Sequence, residues 1–157
     1  MWISDQWKDY ELIDCSGGQK LERWKDRILV RPDPQAIWST PRSHPGWKKP
    51  SAKYSRSTGG GGHWEKNDVP ESWQIQYGGL RFYVKPMNFK HTGIFPEQAA
   101  NWDFAMEAIS RADRPVSVLN LFAYTGGASL ACAKAGASVC HVDAAKGMVS
   151  WAKQNAA

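Results

Sequence analysis

The chain has 157 residues, of which 42% are hydrophobic, and a formal net charge of +5 at pH 7. This length suits one domain or slightly more than one, with enough hydrophobic residues for a core, and the positive charge permits a nucleic-acid partner. The sequence contains no run of about 18 apolar residues, no leader-like N-terminus and no cysteine spacing typical of a zinc site or a disulfide framework, so we expect no membrane span, no signal peptide and no metal.

The first part of the chain predicts short β-strands. Two alternating runs flank a turn at Gly17 and Gly18, which is typical of a hairpin. Residues 27–31 predict a third strand that ends at Pro32, because proline cannot donate a hydrogen bond to a ladder. We therefore expect a small β-rich N-terminal subdomain over residues 1–86.

Within that subdomain, residues 39–64 combine cations, aromatic rings and chain breakers. Proline, serine and glycine are frequent, so we expect a long loop. Cations can pair with phosphates and rings can stack on unpaired bases, which predicts an RNA-facing arm. The cations expected to contact RNA are Arg42, Lys48, Lys49, Lys53 and Arg56. The alternative is a solvated linker whose tryptophans pack against a neighbouring domain.

A second hairpin and a helix follow. Residues 73–85 alternate with period two around two glycines, which predicts a hairpin. Pro96 suits the first turn of a helix. Trp102 opens an apolar stripe of helical period, so we expect an amphipathic helix that ends near Arg111. We expect this stripe to pack on the sheet that begins at Val116.

Residues 116–143 predict one βαβ unit. An apolar run ends at Phe122, a turn with two glycines follows, and an alanine-rich helix leads to a second apolar run that ends at Asp143. In such units the glycines admit a ligand to the backbone, and an acid about 20 residues further on meets ribose hydroxyls. Asp143 follows Phe122 at this spacing. The alternative role for Asp143 is to cap the next helix.

The turn restricts the class of ligand. It lacks the G-x-G-x-x-G pattern of a dinucleotide site and the Gly-Lys-Ser/Thr of a phosphate-binding loop. A turn that admits a ligand to the backbone without cradling a pyrophosphate suits S-adenosylmethionine. A nucleotide-dependent oxidoreductase is an alternative, against which the missing glycine pattern argues.

The cysteines predict no chemistry of their own. Cys15, Cys132 and Cys140 show no pairing pattern, which favours a reducing, cytoplasmic setting. Cys132 falls in the alanine-rich helix and Cys140 in an apolar strand, so we expect both to be small core residues rather than nucleophiles. We assign no catalytic residue.

Several segments together resemble the class I S-adenosylmethionine-dependent methyltransferases, in particular the bacterial branch related to large-subunit ribosomal RNA methyltransferases. These segments are KHTGIFPEQ at residues 90–98, NLFAYTGGAS at 120–129, VDAAK at 142–146 and WAKQN at 151–155. The resemblance extends from about Asp9 to the end of the chain. It implies an α/β fold in which residues 87–157 begin a Rossmann-like, doubly wound methyltransferase domain. It also implies methyl transfer from S-adenosylmethionine to a base of ribosomal RNA.

The resemblance further implies which residues contact the cofactor. The turn would pass under the methionine and ribose parts, Asp143 would accept bonds from the ribose hydroxyls, and Ala144 with Ala145 would border the adenine. Phe95 and Gln98 would close the methionine side. The cofactor-binding residues expected on this basis are Phe95, Gln98, Phe122, Ala123, Tyr124, Thr125, Gly126, Gly127, Ala128, Asp143 and Ala144.

The predicted sheet is incomplete. Two strands cannot bury both faces of a parallel sheet, and the resemblance implies seven strands in complete enzymes. It also implies a later Asp/Asn-Pro-Pro-Phe/Tyr segment that lines the target base, and no Pro-Pro pair occurs in this sequence. We therefore expect an N-terminal fragment that is inactive alone, with catalytic residues beyond Ala157 and weak protection from hydrogen exchange after Val116. An RNA-binding module with a vestigial cofactor fold is the alternative.

Overall fold

The structure is a computed structural model and describes residues 2–157. The chain forms two compact units. Unit 1 contains the residues up to Gln6, Gln76–Tyr83 and Ile94–Ala157, and unit 2 contains Trp7–Ile75 and Val84–Gly93. This division differs from the expected boundary after residue 86, because each unit is assembled from segments that are not contiguous in sequence.

Unit 2 is built on a five-stranded sheet in which the strands follow their order in the chain. All neighbouring strands are antiparallel except the parallel pair β3–β4. The strands are β1 (Tyr10–Ser16), β2 (Gln19–Trp24), β3 (Arg27–Pro32), β4 (Ala52–Arg56) and β5 (Gly62–Lys66). The predicted first hairpin and third strand are thereby confirmed.

The segment predicted to be a loop, residues 39–64, contains regular structure, so that prediction was wrong. β4 and β5 pair antiparallel, and residues 57–61 connect them. A short 3₁₀ helix, Pro45–Trp47, precedes β4. The strand β4 was missed because it has only five residues, and its alternation of buried Ala52 and Tyr54 with polar neighbours lies among many serines, prolines and glycines.

A buried ion pair stabilises unit 2. The Glu22 side chain is fully buried, and its two oxygens accept hydrogen bonds from Nε and Nη2 of Arg31 at 2.6 and 2.7 Å. The Tyr10 hydroxyl donates a further bond to Glu22 at 2.9 Å. Burial raises the pKa of Glu22, but the charge and hydrogen bonds of Arg31, with the charge of Lys20 and the Tyr10 bond, hold that pKa below its ordinary value.

Unit 1 contains the predicted βαβ unit, which is confirmed. A hairpin of β6 (Trp73–Tyr77) and β7 (Leu80–Val84) contributes its central residues to this unit. The remaining elements are α1 (Ala99–Ser110), β8 (Ser117–Leu121), α2 (Gly127–Lys134), β9 (Ser138–Val142) and α3 (Lys146–Ala156). β8 and β9 are parallel and in register from Ser117↔Ser138 to Leu121↔Val142.

The sequence had led us to expect that the apolar stripe of α1 packs on β8. In the structure the stripe packs against α2 and the hairpin instead. The Trp102 ring lies 5.8 Å from that of Tyr77 and 5.3 Å from that of Phe82, measured between centroids. The Tyr77 hydroxyl also donates to Asp103 at 2.5 Å. α1 thus packs on one side against α2, which begins directly after the predicted cofactor turn.

One face of the β8–β9 sheet is exposed. Leu119, Leu121 and Val142 are exposed, and so is Cys140. The expectation that Cys140 is a core residue was wrong, because alternation along β9 turns its side chain to the exposed face, whereas Cys132 is buried as expected. No helix within residues 2–157 is long and apolar enough to cross a membrane.

We expect Arg31→Met to destabilise unit 2 by about 3–5 kcal/mol, because it removes the two guanidinium hydrogen bonds of the buried Glu22 carboxylate. Arg27→Met is the matched control, since Arg27 pairs at 2.8 Å with the exposed Asp68 and such pairs contribute about 0–1 kcal/mol. Hydrogen exchange of the β2 and β3 amides measures the loss of stability in each of the two variants. The double variant Glu22→Met/Arg31→Met should recover much of the loss.

The effect of Arg31→Met should also depend on pH. The folded-state pKa of Glu22 is depressed, so the stability that the pair contributes is present above the ordinary carboxyl pKa and is lost as pH falls through the folded value. The difference between wild type and Arg31→Met should therefore shrink in acid. A difference that grows in acid would contradict this assignment.

Candidate functional site

The turn between β8 and α2 has an unusual backbone. Phe122, Tyr124 and Gly126 have φ angles of 55°, 52° and 94°. The left-handed conformation costs a residue with a side chain roughly 1–2 kcal/mol. Such strain persists only where the surrounding structure holds it, and it is common at functional sites. The contacts that hold this turn are therefore part of the site.

Hydrogen bonds with β9, with Asp143 and with α3 hold the turn. The Ala123 N–H donates to the Val142 carbonyl at 3.0 Å, which extends the pairing of β8 with β9. The Tyr124 N–H donates to Oδ2 of Asp143 at 2.9 Å. From α3, Nδ2 of Asn155 donates to the Thr125 carbonyl at 2.9 Å. β9, the residue that follows it and α3 together fix the backbone of the turn.

Asp143 is the central tether. Its Oδ1 accepts a bond from the Ala145 N–H at 2.8 Å, while its Oδ2 is bound to Tyr124. These bonds, with that of Ala145 first, hold the pKa of Asp143 below its ordinary value. α3 itself begins with Ala145 as its N-cap and has no side-chain cap bond. Each carboxylate oxygen has a second lone pair, so Asp143 can still accept a bond from a hydroxyl donor.

A cavity of about 260 Å³ lies against the turn. It is at the carboxyl end of β8, where open α/β sheets bind their ligands. Among the described residues, no charged side chain lines it. The lining residues are Ile94, Phe95, Gln98, Trp102, Asn120, Phe122, Ala123, Tyr124, Thr125, Gly127 and Ala128.

Most of the predicted cofactor residues thus meet at one cavity. Phe95 and Gln98, which come from a separate segment, join the residues of the turn. Gly126, Asp143 and Ala144 do not line the cavity. Sequence reasoning missed the lining residues Ile94, Trp102 and Asn120. A polar Asn120 inside an apolar strand was the one signal that could have found a member of this group.

Aromatic rings form one wall of the cavity. The rings of Phe95 and Tyr124 lie 5.4 Å apart with an angle of 38° between their planes. Phe122 is 91% exposed at the rim. Aromatic faces attract cations and stack on flat rings. The wall therefore suits a ligand that has a positive centre or a planar ring.

The N-terminus of α2 faces the same region. Gly127 and Ala128 open this helix and both line the cavity. The first N–H groups of a helix have no partner within it, and they carry the positive end of the helix dipole. The N-cap residue, Gly126, provides no side-chain acceptor for them. This end of the cavity therefore suits a carboxylate.

Both glycines also have a structural role. A Cβ at Gly126 would lie 2.9 Å from Cδ1 of Leu130, and a Cβ at Gly127 would lie 2.6 Å from Cζ2 of Trp102. Distances below 3.0 Å force one of the groups to move. These two glycines thus allow neighbouring side chains to pack closely against the backbone of the turn, whether or not a ligand is bound.

A chain of hydrogen bonds positions Asn120. Its Nδ2 donates to the Ser129 hydroxyl at 2.9 Å, and that hydroxyl lies 2.9 Å from Nδ1 of His141. The three residues belong to β8, α2 and β9. Because Asn120 lines the cavity and His141 does not, His141 acts as a positioning residue for the amide.

The structure does not bring the five predicted RNA-contacting cations together. Nη2 of Arg42 donates to the Ser16 carbonyl at 2.8 Å, and its guanidinium lies 4.4 Å from the centre of the Trp47 ring. Lys53 and Arg56 are an odd number of residues apart on β4, so they point to opposite faces of the sheet. The remaining two cations, Lys48 and Lys49, are exposed.

Comparison with known proteins identifies relatives of this chain. A family model for S-adenosylmethionine-dependent methyltransferases matches residues 51–157. The chain is 39% identical over 82 residues to the ribosomal RNA large subunit methyltransferase K/L of Psychrobacter sp. (strain PRwf-1), covering 52% of this chain and 10% of that protein. It is 36% identical over 92 residues to the protein of the same name from Alteromonas mediterranea, covering 58% of this chain and 13% of that protein.

A solved structure is similar over nearly the whole chain. The crystal structure of the SAM-dependent methyltransferase from Agrobacterium tumefaciens has a TM-score of 0.89 and 41% sequence identity to this chain. The similarity covers 95% of this chain and 48% of that one. The chain therefore spans less than half the length of each of these three relatives.

We expect Gly127→Ala to destabilise unit 1 by about 1–3 kcal/mol, because its Cβ would overlap the Trp102 ring. Gly147→Ala is the matched control. Gly147 also lies in the first turn of a helix, but no atom is within 4 Å of its Cβ position, so alanine should stabilise α3 by up to about 1 kcal/mol. Hydrogen exchange of the α2 and α3 amides measures both. Equal effects would show that Trp102 moves aside at little cost.

Proposed function

The chain belongs to the family of S-adenosylmethionine-dependent methyltransferases, and on that premise we propose that the protein transfers a methyl group from S-adenosylmethionine to a base of ribosomal RNA. The observation that carries the cofactor part is the cavity at the held turn after β8. The names of the two curated relatives, which are ribosomal RNA methyltransferases, support the RNA part.

The chemistry of the cavity fits this cofactor. S-adenosylmethionine has a positive sulfonium, whose methyl carbon is electrophilic, and the Phe95 and Tyr124 rings offer aromatic faces to a cation. Its amino-acid part has a carboxylate, which the N–H groups at the start of α2 can bind. The described lining residues include no charged side chain that would compete with the aromatic rings for the sulfonium or with the N–H groups for the carboxylate.

Asp143 has two roles in this proposal. It fixes the left-handed Tyr124 by accepting the Tyr124 N–H, and its remaining lone pairs accept hydrogen bonds from the ribose hydroxyls. Bonds from hydroxyls to a charged acceptor are stronger than bonds to a neutral one. Ala144, the next residue, borders the adenine. These contributions are those of binding and orientation, which place the methyl group for transfer.

In this proposal, cations of unit 2 bind phosphates of the RNA. Lys48, Lys49 and Arg56 are exposed and can meet phosphates. Lys53 is less suited, because its cross-strand partner is Glu65, whose carboxylate repels a phosphate. Arg42 is already bound to a carbonyl. The RNA contact therefore depends on part of the predicted set rather than on all five.

We also propose a reducing, cytoplasmic setting. Cys15, Cys132 and Cys140 are all free thiols. Burial raises the pKa of the Cys132 thiol, which keeps it protonated and unreactive. Cys140 is exposed, and an exposed thiol is open to oxidation in an oxidising compartment. The three free thiols are therefore best preserved in a reducing one.

We expect Asp143→Asn, in the protein as encoded, to lower the affinity for S-adenosylmethionine by roughly 10- to 150-fold, the range for a bond to a charged acceptor. Asn keeps one acceptor oxygen, so it also loses one of the bonds to Tyr124 and Ala145. The stability of the free protein should therefore fall as well. Asp113→Asn, at an exposed position of the same unit, is the control with the same change of charge.

The two roles of Asp143 can be separated with a 2′-deoxy analogue of the cofactor. If Asp143 binds the hydroxyl, the analogue binds more weakly to wild type but loses little further in Asp143→Asn, because both changes remove one interaction. Calorimetry measures the four affinities. Losses that simply add would assign Asp143 to the turn alone.

Methyl transfer is tested with labelled cofactor. The full-length protein is incubated with labelled S-adenosylmethionine and bacterial large-subunit ribosomal RNA. It should transfer label to the RNA and not to duplex DNA. Normal cofactor binding without labelled RNA would leave the cofactor site intact and overturn the proposed substrate.

A further inference from the structure

One face of the sheet in unit 2 collects cations. The strand register places Lys20, Arg31, Arg56 and Lys66 on the same face, because Lys20 pairs with Arg31, Leu29 pairs with Ala52, and Ala52 pairs with Lys66. The one carboxylate among these paired positions, Glu22, lies 2.6 Å from Nε of Arg31 and 3.4 Å from Nζ of Lys20. Glu22 is a single negative charge against four cations, so this face has an excess of positive charge.

A short segment after β7, residues 85–92, covers part of this face. It folds back on itself, since the Lys85 N–H donates to the Thr92 carbonyl at 3.0 Å and the Met87 N–H donates to the His91 carbonyl at 3.2 Å. Its tip is bound to the sheet. Nη1 of Arg31 donates to the Lys90 carbonyl at 3.0 Å.

The same tip adds another cation. Nζ of Lys90 donates to the Pro32 carbonyl at 3.3 Å. Burial lowers the pKa of Lys90, and Lys20, Arg56 and Arg31 lower it further, against the opposing effect of Asp33. A bound anion would relieve this repulsion. The face is therefore electrostatically suited to a phosphate.

Trp64 lies beside these cations in a fixed position. Its Nε1 donates to the Phe89 carbonyl at 3.0 Å, and its ring meets that of Tyr54 at 5.5 Å with an angle of 73° between the planes. The indole is thus held from two sides before any ligand arrives. Phe89 itself is 62% exposed.

A cavity of about 400 Å³ opens between β5 and the segment after β7. Its lining includes Trp64, Lys66, His63 and Asn88 and contains no carboxylate. The volume is within the range of small-ligand sites, about 300–1,000 Å³. An indole gives a stacking surface, an ammonium binds a phosphate, and an amide can both donate to and accept from the edge of a base.

We propose that this cavity binds one unpaired nucleotide of the RNA substrate, with its base against Trp64, its edge at Asn88 and a phosphate at Lys66. This site rests on the proposed RNA substrate but is independent of the cofactor cavity. A base held in a duplex cannot enter a pocket of this kind, so the site selects single-stranded RNA.

The test measures binding of a short, fluorescent, single-stranded RNA to the protein as encoded, by anisotropy at several salt concentrations. Lys66→Gln should weaken binding and reduce the slope of log K against log salt by roughly 0.7. Lys53→Gln is the matched control. It removes one charge from the adjacent paired strand on the opposite face of the sheet, and it should change neither quantity.

Trp64 is tested with two substitutions. Trp64→Leu keeps an apolar side chain but removes the stacking surface, so affinity should fall by roughly 5- to 140-fold. Trp64→Phe keeps an aromatic face and should recover most of it. A duplex of the same sequence should bind more weakly than the single strand to wild type. If Trp64→Leu unfolds unit 2, the comparison of Lys66→Gln with Lys53→Gln tests the nucleotide site by itself.

The outcomes separate the two proposals. Wild-type affinity and salt slope in both Lys66→Gln and Trp64→Leu would overturn the nucleotide site and leave the RNA substrate standing. Equal losses in Lys66→Gln and Lys53→Gln would show a diffuse charge effect and also overturn the site. No binding of the single-stranded RNA by wild type would overturn the RNA substrate itself, and the site with it.

Discussion

The hydrogen bond from the Tyr124 N–H to Asp143 is the interaction on which the candidate site depends. Two residues with side chains, Phe122 and Tyr124, adopt left-handed backbone in the turn, and each does so at a cost of roughly 1–2 kcal/mol. The turn keeps this shape because Asp143, the residue after β9, and Asn155 of α3 bind its backbone. The residue after the second strand of the βαβ unit and the helix that follows it therefore shape the cavity at the end of the first strand.

Much of this architecture could be predicted from the sequence. The apolar runs, the glycine turn and the alanine-rich helix of residues 116–143 each indicate one element, and their order allows one arrangement. The acid at Asp143 was found by its spacing, but the bond that it makes to Tyr124 was not. A hydrogen bond between a side chain and a backbone group distant in sequence leaves no periodic pattern. The contact between Gly127 and Trp102 was missed for the same reason.

The errors in unit 2 have a different cause. Composition dominated the interpretation of residues 39–64, where serine, proline and glycine concealed the five-residue strand β4. Once the strands are known, the register sorts the cations by face, which composition cannot do. Arg56 and Lys66 share a face with Trp64, while Lys53 lies opposite Glu65. A count of basic residues predicted a nucleic-acid partner, but only the pairing of strands indicates where its phosphate would bind.

The most direct test of the site is a titration of the protein with S-adenosylhomocysteine, the product form of the cofactor, followed by backbone amide NMR. We expect the largest shifts at the amides of residues 123–128 and at Asp143, with small shifts in unit 2. A second cavity lies nearby, between α2, β9 and α3, and is lined by Val139, His141 and Lys153. If the largest shifts occurred at those three residues while the turn amides stayed unchanged, the held turn would not be the cofactor site.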